Sequence, residues 1–287
     1  MTEKNKTREG TLYLVATPIG NLSDLSPRAQ KVLSEVTFVA AEDTRNTRAL
    51  LTHFEIHKEL VSYHEHNKLG RGPELVERLL RGDSCALVTD AGMPAISDPG
   101  EDLVRLCAEA AIPVTCIPGG TAAVTALALS ALPTGRFVFE GFLPADKKER
   151  RARLAALSAE ERTTILYEAP HRLKKTLGEL WEALGDRKIS LCRELTKLNE
   201  EIIRTSLSAA GALYREQEPR GEYVLILEGG TPAKEEGAGS SMSPAEHVAF
   251  YEAQGMARMD AIKAAAKDRG VAKSILYKEL QNAEEEE

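Results

Sequence analysis

Short apolar runs alternate along this chain with longer stretches in which apolar residues recur every three or four positions. That switch of period reads as strands followed by helices. The first runs are Thr11 to Ala16, Thr37 to Ala41, Leu60 to Tyr63, Cys85 to Val88 and Pro113 to Ile117. Each breaks into small, polar or proline-containing residues: Thr17 to Asn21, Glu42 to Arg45, His64 to Asn67, Thr89 to Pro94, and Pro118 to Thr121. Helix starts are marked by Ser26 with Pro27, by Pro73, by Asp98 with Pro99 and a capping-box acid at Glu101, and by Thr121. Apolar strands joined through short helices predict a mostly parallel sheet with both faces covered, over residues 11–131.

Beyond Ala131 to Arg136 a second set of runs begins: Phe137 to Glu140, Thr163 to Tyr167, Lys188 to Cys192 and Glu222 to Leu227. Some follow one another with no helix between, so residues 137–230 predict a mixed α/β domain with antiparallel pairs. Residues 1–10 read as a polar tail and 231–243 as a linker rich in Pro, Gly and Ser. A capping box at Ser243 and Glu246 then opens a helical module over 244–283, with further helices at Arg258 to Asp268 and Ala272 to Gln281, and a fraying acidic end.

Composition narrows the classes. The chain has 287 residues, 43% hydrophobic and 28% charged, which fits a globular protein of two or three domains. No apolar run reaches the roughly 18 residues of a membrane span, and the start lacks the apolar core of a signal peptide, so a cytoplasmic location is expected. Cys85, Cys107, Cys116 and Cys192 lie in strand-like or helix-like runs without CxxC spacing and read as reduced thiols; no metal site is expected. A net charge of −7 argues against nonspecific coating of nucleic acid but leaves room for local patches. Lys147, Lys148, Arg150, Arg151 and Arg153 form one such run, and His171, Arg172, Lys174 and Lys175 another; a solvated helix face is the competing reading of each. Neither GxGxxG nor GxxxxGK[ST] follows a strand, so dinucleotides and nucleoside triphosphates are disfavoured. Two facing rims of proline- and glycine-containing loops suit a flat, mostly neutral ligand with an amino-acid end.

Four segments taken together resemble the tetrapyrrole methylase superfamily, and within it the branch that acts on ribosomal RNA: LVATPIGNLSD (Leu14 to Asp24), VAAEDTRNT (Val39 to Thr47), VTDAGMPAISDPG (Val88 to Gly100) and YEAPHR (Tyr167 to Arg172). RELTK (Arg193 to Lys197) and RGEYVLILEG (Arg220 to Gly229) follow in the expected order. The resemblance implies two α/β domains with a cofactor cleft between them and a homodimer. It also implies methyl transfer from S-adenosylmethionine to the ribose 2′-hydroxyl of cytidine 1402 in 16S ribosomal RNA, on the small ribosomal subunit. Matched to the motifs, cofactor contacts fall on Pro18, Ile19, Gly20, Asp90, Ala91, Gly92, Ile96, Ser97, Gly119, Thr121 and Ala122. In the second domain they fall on Tyr167, Glu168, Arg193, Glu194 and Leu195. Met93 stands where relatives commonly carry threonine, and Gly120 and Thr121 where proline and serine or cysteine are common, which shifts the expected contacts there toward the backbone.

A ribose hydroxyl is a weak nucleophile at neutral pH, so a base or a cationic neighbour should assist it. Asp43, Arg45, His64 and Glu168 are the candidates, with no one of them selected as the base. Asp43 and Arg45 could pair near the substrate or cap the next helix; His64 and His66 would share one side of a strand. RNA contacts are expected at Lys147, Lys148, Arg150, Arg151, Arg153 and Arg172, and at Lys273 and Lys278 in the helical module. The competing functions are methylation of a small tetrapyrrole or modified amino acid, and a non-catalytic RNA-binding ribosome-assembly factor. TPIGN in place of GxGPGD after the first strand speaks against corrin-ring methylation.

Overall fold

Four-residue apolar runs persist as strands only where both of their faces are covered, and the first sheet meets that condition. The structure, a computed structural model, describes residues 7–230 and 242–285, the last four as backbone alone. Strands β1 (Leu12–Val15), β2 (Phe38–Ala41), β3 (Glu59–Ser62), β4 (Cys85–Val88) and β5 (Val114–Ile117) form a wholly parallel sheet in the order β3-β2-β4-β1-β5. Helices α1 (Pro27–Glu35) and α2 (Thr44–His53) cover one face, setting Val32, Leu33 and Leu51 on Val15, Val39 and Val88. Helices α3 (Lys68–Leu80) and α4 (Gly100–Glu109) cover the other, setting Leu75, Leu79 and Leu103 on Phe38, Ala40 and Leu87. Each such side chain contributes about 1.5–3 kcal/mol by burial. The chain leaves β1 toward one face and the adjacent β4 toward the other, so a crevice opens at their carboxyl ends.

Helix α3 begins ahead of Pro73, which lies inside it. Asn67 organises the earlier start: its side chain accepts from the His64 amide and donates to the Ser62 carbonyl.

The second sheet contains β6 (Phe137–Phe142), β7 (Thr163–Glu168), β8 (Lys188–Arg193), β9 (Glu201–Ser206) and β10 (Tyr223–Leu227) in the order β6-β7-β10-β8-β9. Only β6 and β7 run parallel; the other pairs are antiparallel. Strand β6 extends past Glu140 because a bulge between Phe139 and Gly141 lets pairing resume. Helices α6 (Lys147–Ser158), α7 (Pro170–Leu184) and α8 (Leu207–Glu216) cover one face through Leu154, Leu177 and Leu207.

The other face is covered by α5 (Ala122–Leu129), which follows β5 in the chain but packs Ala123, Ala126 and Leu127 on Ile165, Cys192, Val224 and Ile226. A domain boundary drawn after residue 131 therefore cuts sequence, not packing. The AAVTALAL sequence of α5 carries no polar stripe, although Val124 and Ala128 on its far side are exposed.

The chain divides after Gly230 into two compact units. In the second, α9 (Pro244–Ala253), α10 (Arg258–Asp268) and α11 (Lys273–Glu285) enclose Val248, Ile262, Ala265 and Leu276, and the Ser243–Glu246 capping box forms. Of the expected linker, residues 231–241 lie outside the described residues, as do 1–6 of the tail and the last two acids. No described helix is long and apolar enough to cross a membrane.

Candidate functional site

The carboxyl ends of β1, β2 and β4 are tied together by side chains at the first polar positions after each apolar run. Thr17 and Gly92 exchange backbone hydrogen bonds of 2.9 and 3.1 Å, and the buried Thr17 hydroxyl donates to the Thr89 carbonyl at 3.1 Å. Thr89 in turn donates its hydroxyl to Glu42 at 2.9 Å, and Asn46 donates its amide to Asp90 at 3.2 Å. Beside these ties lies a crevice of about 440 Å³, walled by Leu22, Ala49 and Leu50 and closed by Thr17, Asn46 and Asp90.

The loop after β4 is held in an unfavourable shape. Ala95 and Ser97 both adopt left-handed backbone, at φ of 67° and 62°, conformations that cost about 1–3 kcal/mol each. Asp98 secures them by accepting from the amides of Ala95 at 3.0 Å, Ile96 at 3.3 Å and Gly100 at 2.7 Å. The expected capping box is only half realised: Asp98 holds the loop and also accepts from the Gly100 amide that opens α4, while Pro99 occupies the formal cap position and completes no capping box. Thr121 sits at the cap position of α5 but makes no side-chain cap bond.

The second sheet meets these loops directly. A Cβ on Gly20 would lie 2.4 Å from Cγ of Lys197 and 2.9 Å from Oγ1 of Thr196, so only glycine fits against the RELTK turn. That turn bends through left-handed Glu194 and Thr196. Burial opposes the charge of Glu194, but the Glu222 amide and the Lys197 ammonium outweigh it and hold the carboxyl below its usual range. Gly141, at φ of 65°, brings β6 to Ser97. Tyr167 packs between Phe139 and Phe142, and Phe142 remains 54% exposed.

Most positions expected to touch a cofactor thus gather on facing loops. Ala91, Ile96, Ser97 and Gly119 are exposed, and Pro18, Ile19, Thr121, Ala122, Tyr167, Arg193 and Glu194 are partly so. Gly92 and Leu195 are buried and offer backbone. Two buried polar atoms on the RELTK turn, Nε of Arg193 and Oγ1 of Thr196, have no hydrogen-bond partner among the described residues. Met93, in place of threonine, sets its sulfur 3.7 Å from the Cys116 thiol.

Glu168 departs from expectation. Only 2% exposed, its carboxylate accepts from Thr176 at 2.5 Å and from the Ala169 amide, and pairs with Arg172 at 3.4 Å, so both of its oxygens are engaged within the second-sheet domain. Arg150 is likewise corrected as an RNA contact. It is 5% exposed and bound to Glu179 at 2.6 Å and Thr176 at 2.7 Å. Arg172 donates to the Leu143 carbonyl at 2.6 Å, and Arg153 pairs with Glu140 at 3.2 Å. Lys147, Lys148 and Arg151 are exposed on α6 and make no ion pair among the described residues; Lys273 and Lys278 are exposed on α11.

Asp43 both caps α2 through the Arg45 amide at 2.8 Å and clamps the Arg45 guanidinium at 2.6 Å. That bonding lowers the Asp43 carboxyl to about 2, which makes it a weak proton acceptor near neutrality. His64 follows the edge strand β3, two strand spacings, or roughly 10 Å, from β4. It lies beyond the strand with His66, not on it, and no group of metal-binding side chains occurs among the described residues. Thr17, Glu42, Asn46 and Thr89 escaped selection from sequence. Their signal was position alone, directly after an apolar run or in the first turn of the next helix.

A parallel sheet and a mixed sheet with converging loops at their strand ends define a methylase of the tetrapyrrole type. The chain belongs to the Tetrapyrrole (Corrin/Porphyrin) Methylases, whose family model matches residues 11–211. It is 51% identical over 271 residues to the ribosomal RNA small subunit methyltransferase I of Halalkalibacterium halodurans, covering 94% of each chain. It is 47% identical to the protein of that name from Synechocystis, covering 93% of this chain and 96% of the other. Among solved structures, the uroporphyrin-III C-methyltransferase of Thermus thermophilus complexed with S-adenosylhomocysteine shares the fold, with a TM-score of 0.54, 19% identity, and coverage of 76% of this chain and 97% of that one.

Proposed function

We propose that this protein transfers a methyl group from S-adenosylmethionine to the ribose 2′-hydroxyl of cytidine 1402 in 16S ribosomal RNA, acting in the cytoplasm as a homodimer. The observation that carries the reading is near-full-length identity to proteins named ribosomal RNA small subunit methyltransferase I. The residues present fit the cofactor. Gly92 and Gly120 pack on the first-strand loop at Ile19, and Gly20 of that loop meets the RELTK turn, where Nε of Arg193 and Oγ1 of Thr196 have no hydrogen-bond partner among the described residues. When bound, the cofactor supplies an electrophilic sulfonium methyl group.

The chain's own contribution is chiefly positional. Asp98 holds the strained Ala95 to Ser97 turn, and the Thr17–Gly92 bridge fixes the first-strand loop. Held geometry of this kind can lower a displacement barrier by roughly 7–11 kcal/mol. With Asp43 a weak base and Glu168 buried, the proton of the hydroxyl passes to water or to an RNA group, and Arg45 favours the developing negative charge. Lys147, Lys148 and Arg151 meet RNA phosphates.

The test is incubation with labelled S-adenosylmethionine and, in parallel, small ribosomal subunits, naked 16S RNA and a porphyrinogen. Label on subunits or RNA is expected. Label on the porphyrinogen alone would establish the small-molecule reading, and no cofactor binding at all would leave a non-catalytic assembly factor.

A further inference from the structure

The crevice between the first-strand loop and α2 shares Pro18, Gly20 and Asp90 with the expected cofactor contacts and extends beyond them along α2, at the β1/β4 switch of the sheet, where open α/β sheets bind ligands. Its volume of about 440 Å³ falls within the range of small-molecule pockets, roughly 300–1,000 Å³. Leu22, Ala49 and Leu50 give it an apolar side, opposite the polar Thr17, Thr47, His53 and Thr89, and Leu22 keeps 43% of its surface exposed on a short turn. Two further polar side chains of its lining, both exposed, bond each other.

That pair is Asn46 and Asp90. A carboxylate only accepts, so the contact between them fixes the Asn46 amide as donor to Asp90 Oδ2. One Asn46 N–H and Asp90 Oδ1 are left side by side, a donor next to an acceptor. Asn46 is held in the first turn of α2 by the Asp43 cap, and Asp90 by the Thr17, Thr89 and Gly92 ties on either side of it.

We propose that this crevice seats the base of the acceptor nucleotide and that Asp90 and Asn46 select cytosine. The assignment rests on the RNA-methylating function above. Cytosine presents an exocyclic amine to Asp90 and its ring N3 acceptor to the Asn46 amide. Uracil presents the reverse pattern, a carbonyl against the carboxylate and an N–H against the amide. Leu22 and Leu50 flank the base. Pro18, Gly20 and Asp90 line the crevice and are themselves expected cofactor contacts, so a base seated here carries its ribose to the methyl group.

The experiment uses the full chain and small subunits reconstituted with cytidine or uridine at the acceptor position, with cofactor affinity measured separately by calorimetry. The native protein should prefer cytidine by about 10- to 100-fold in kcat/KM, the scale of one good edge-reading pair. Asn46→Ala should shrink that preference to about threefold or less while cofactor affinity stays within about twofold; Asp90→Asn should shrink the cytidine-to-uridine ratio as well, a ratio that weakened cofactor binding alone leaves unchanged; and Leu22→Ala should raise KM for both substrates without changing the preference. A preference that survives both polar substitutions would overturn the assignment. A native protein that binds cofactor yet labels neither substrate would overturn the RNA-methylating function and the base pocket with it.

Discussion

Replacing Arg150 with alanine should destabilise the second sheet, not weaken RNA binding. The guanidinium lies under α7, where Nε donates to Glu179 at 2.6 Å and Nη2 to Thr176 at 2.7 Å, while the Thr176 hydroxyl donates a hydrogen bond to buried Glu168. Removing one partner from a buried charged network costs roughly 3–5 kcal/mol, mostly the penalty on groups left behind. Glu179 keeps 28% of its side-chain surface and regains water, so the lower end, about 3 kcal/mol, is expected. For a domain of this size that is a fall in Tm of roughly 6–12 °C. The single tryptophan, Trp181, sits half-exposed on the same helix, so its fluorescence in a urea titration reports the transition. Arg151→Ala, one residue along and fully outside, should move stability by no more than about 0.5 kcal/mol. An Arg150→Ala protein as stable as the parent but weaker on RNA would refute the reasoning.

Other consequences follow from the same geometry. Gly20→Ala drives a methyl group into the RELTK turn, so cofactor affinity should fall about tenfold and stability by about 1–3 kcal/mol, measured by calorimetry and thermal melting. Because the Asp43 carboxyl is depressed to about 2, its pairing with Arg45 is fully present above its ordinary value of 3.8 and is lost only as pH falls through about 2. Asp43→Asn should therefore lower the rate without altering the shape of the pH–rate profile between pH 5 and 9; a lost limb in that window would mark Asp43 as the base. Replacing Lys147, Lys148 and Arg151 together with alanine should flatten the slope of log K for RNA against log salt by about 2–3, as expected for three lost phosphate contacts.

Much of this was legible in the chain. Strand ends, the capping boxed start at Ser243 and the loops at Thr17, Asp90 and Glu194 followed from period and punctuation, because one-face burial and turn chemistry leave local marks. What stayed hidden depended on partners far away in sequence. Nothing in KKERRARL distinguishes Arg150 from Arg151; the difference is Glu179, which lies 29 residues later. The attachment of α5 to the second sheet was equally unreadable, since an all-apolar helix does not say which neighbour will cover it. Asp98 reads as a helix cap because the residues after it are typical of one, and it does accept from the Gly100 amide; its second task, holding the strained turn before it, left no mark in the sequence.

The central claim is tested most directly inside cells that lack 2′-O-methylation at position 1402, by expressing this chain and analysing the nucleoside at that position by mass spectrometry. The account predicts 2′-O-methylcytidine there with the native chain. An unmodified cytidine in cells that hold the folded, cofactor-binding protein would contradict it.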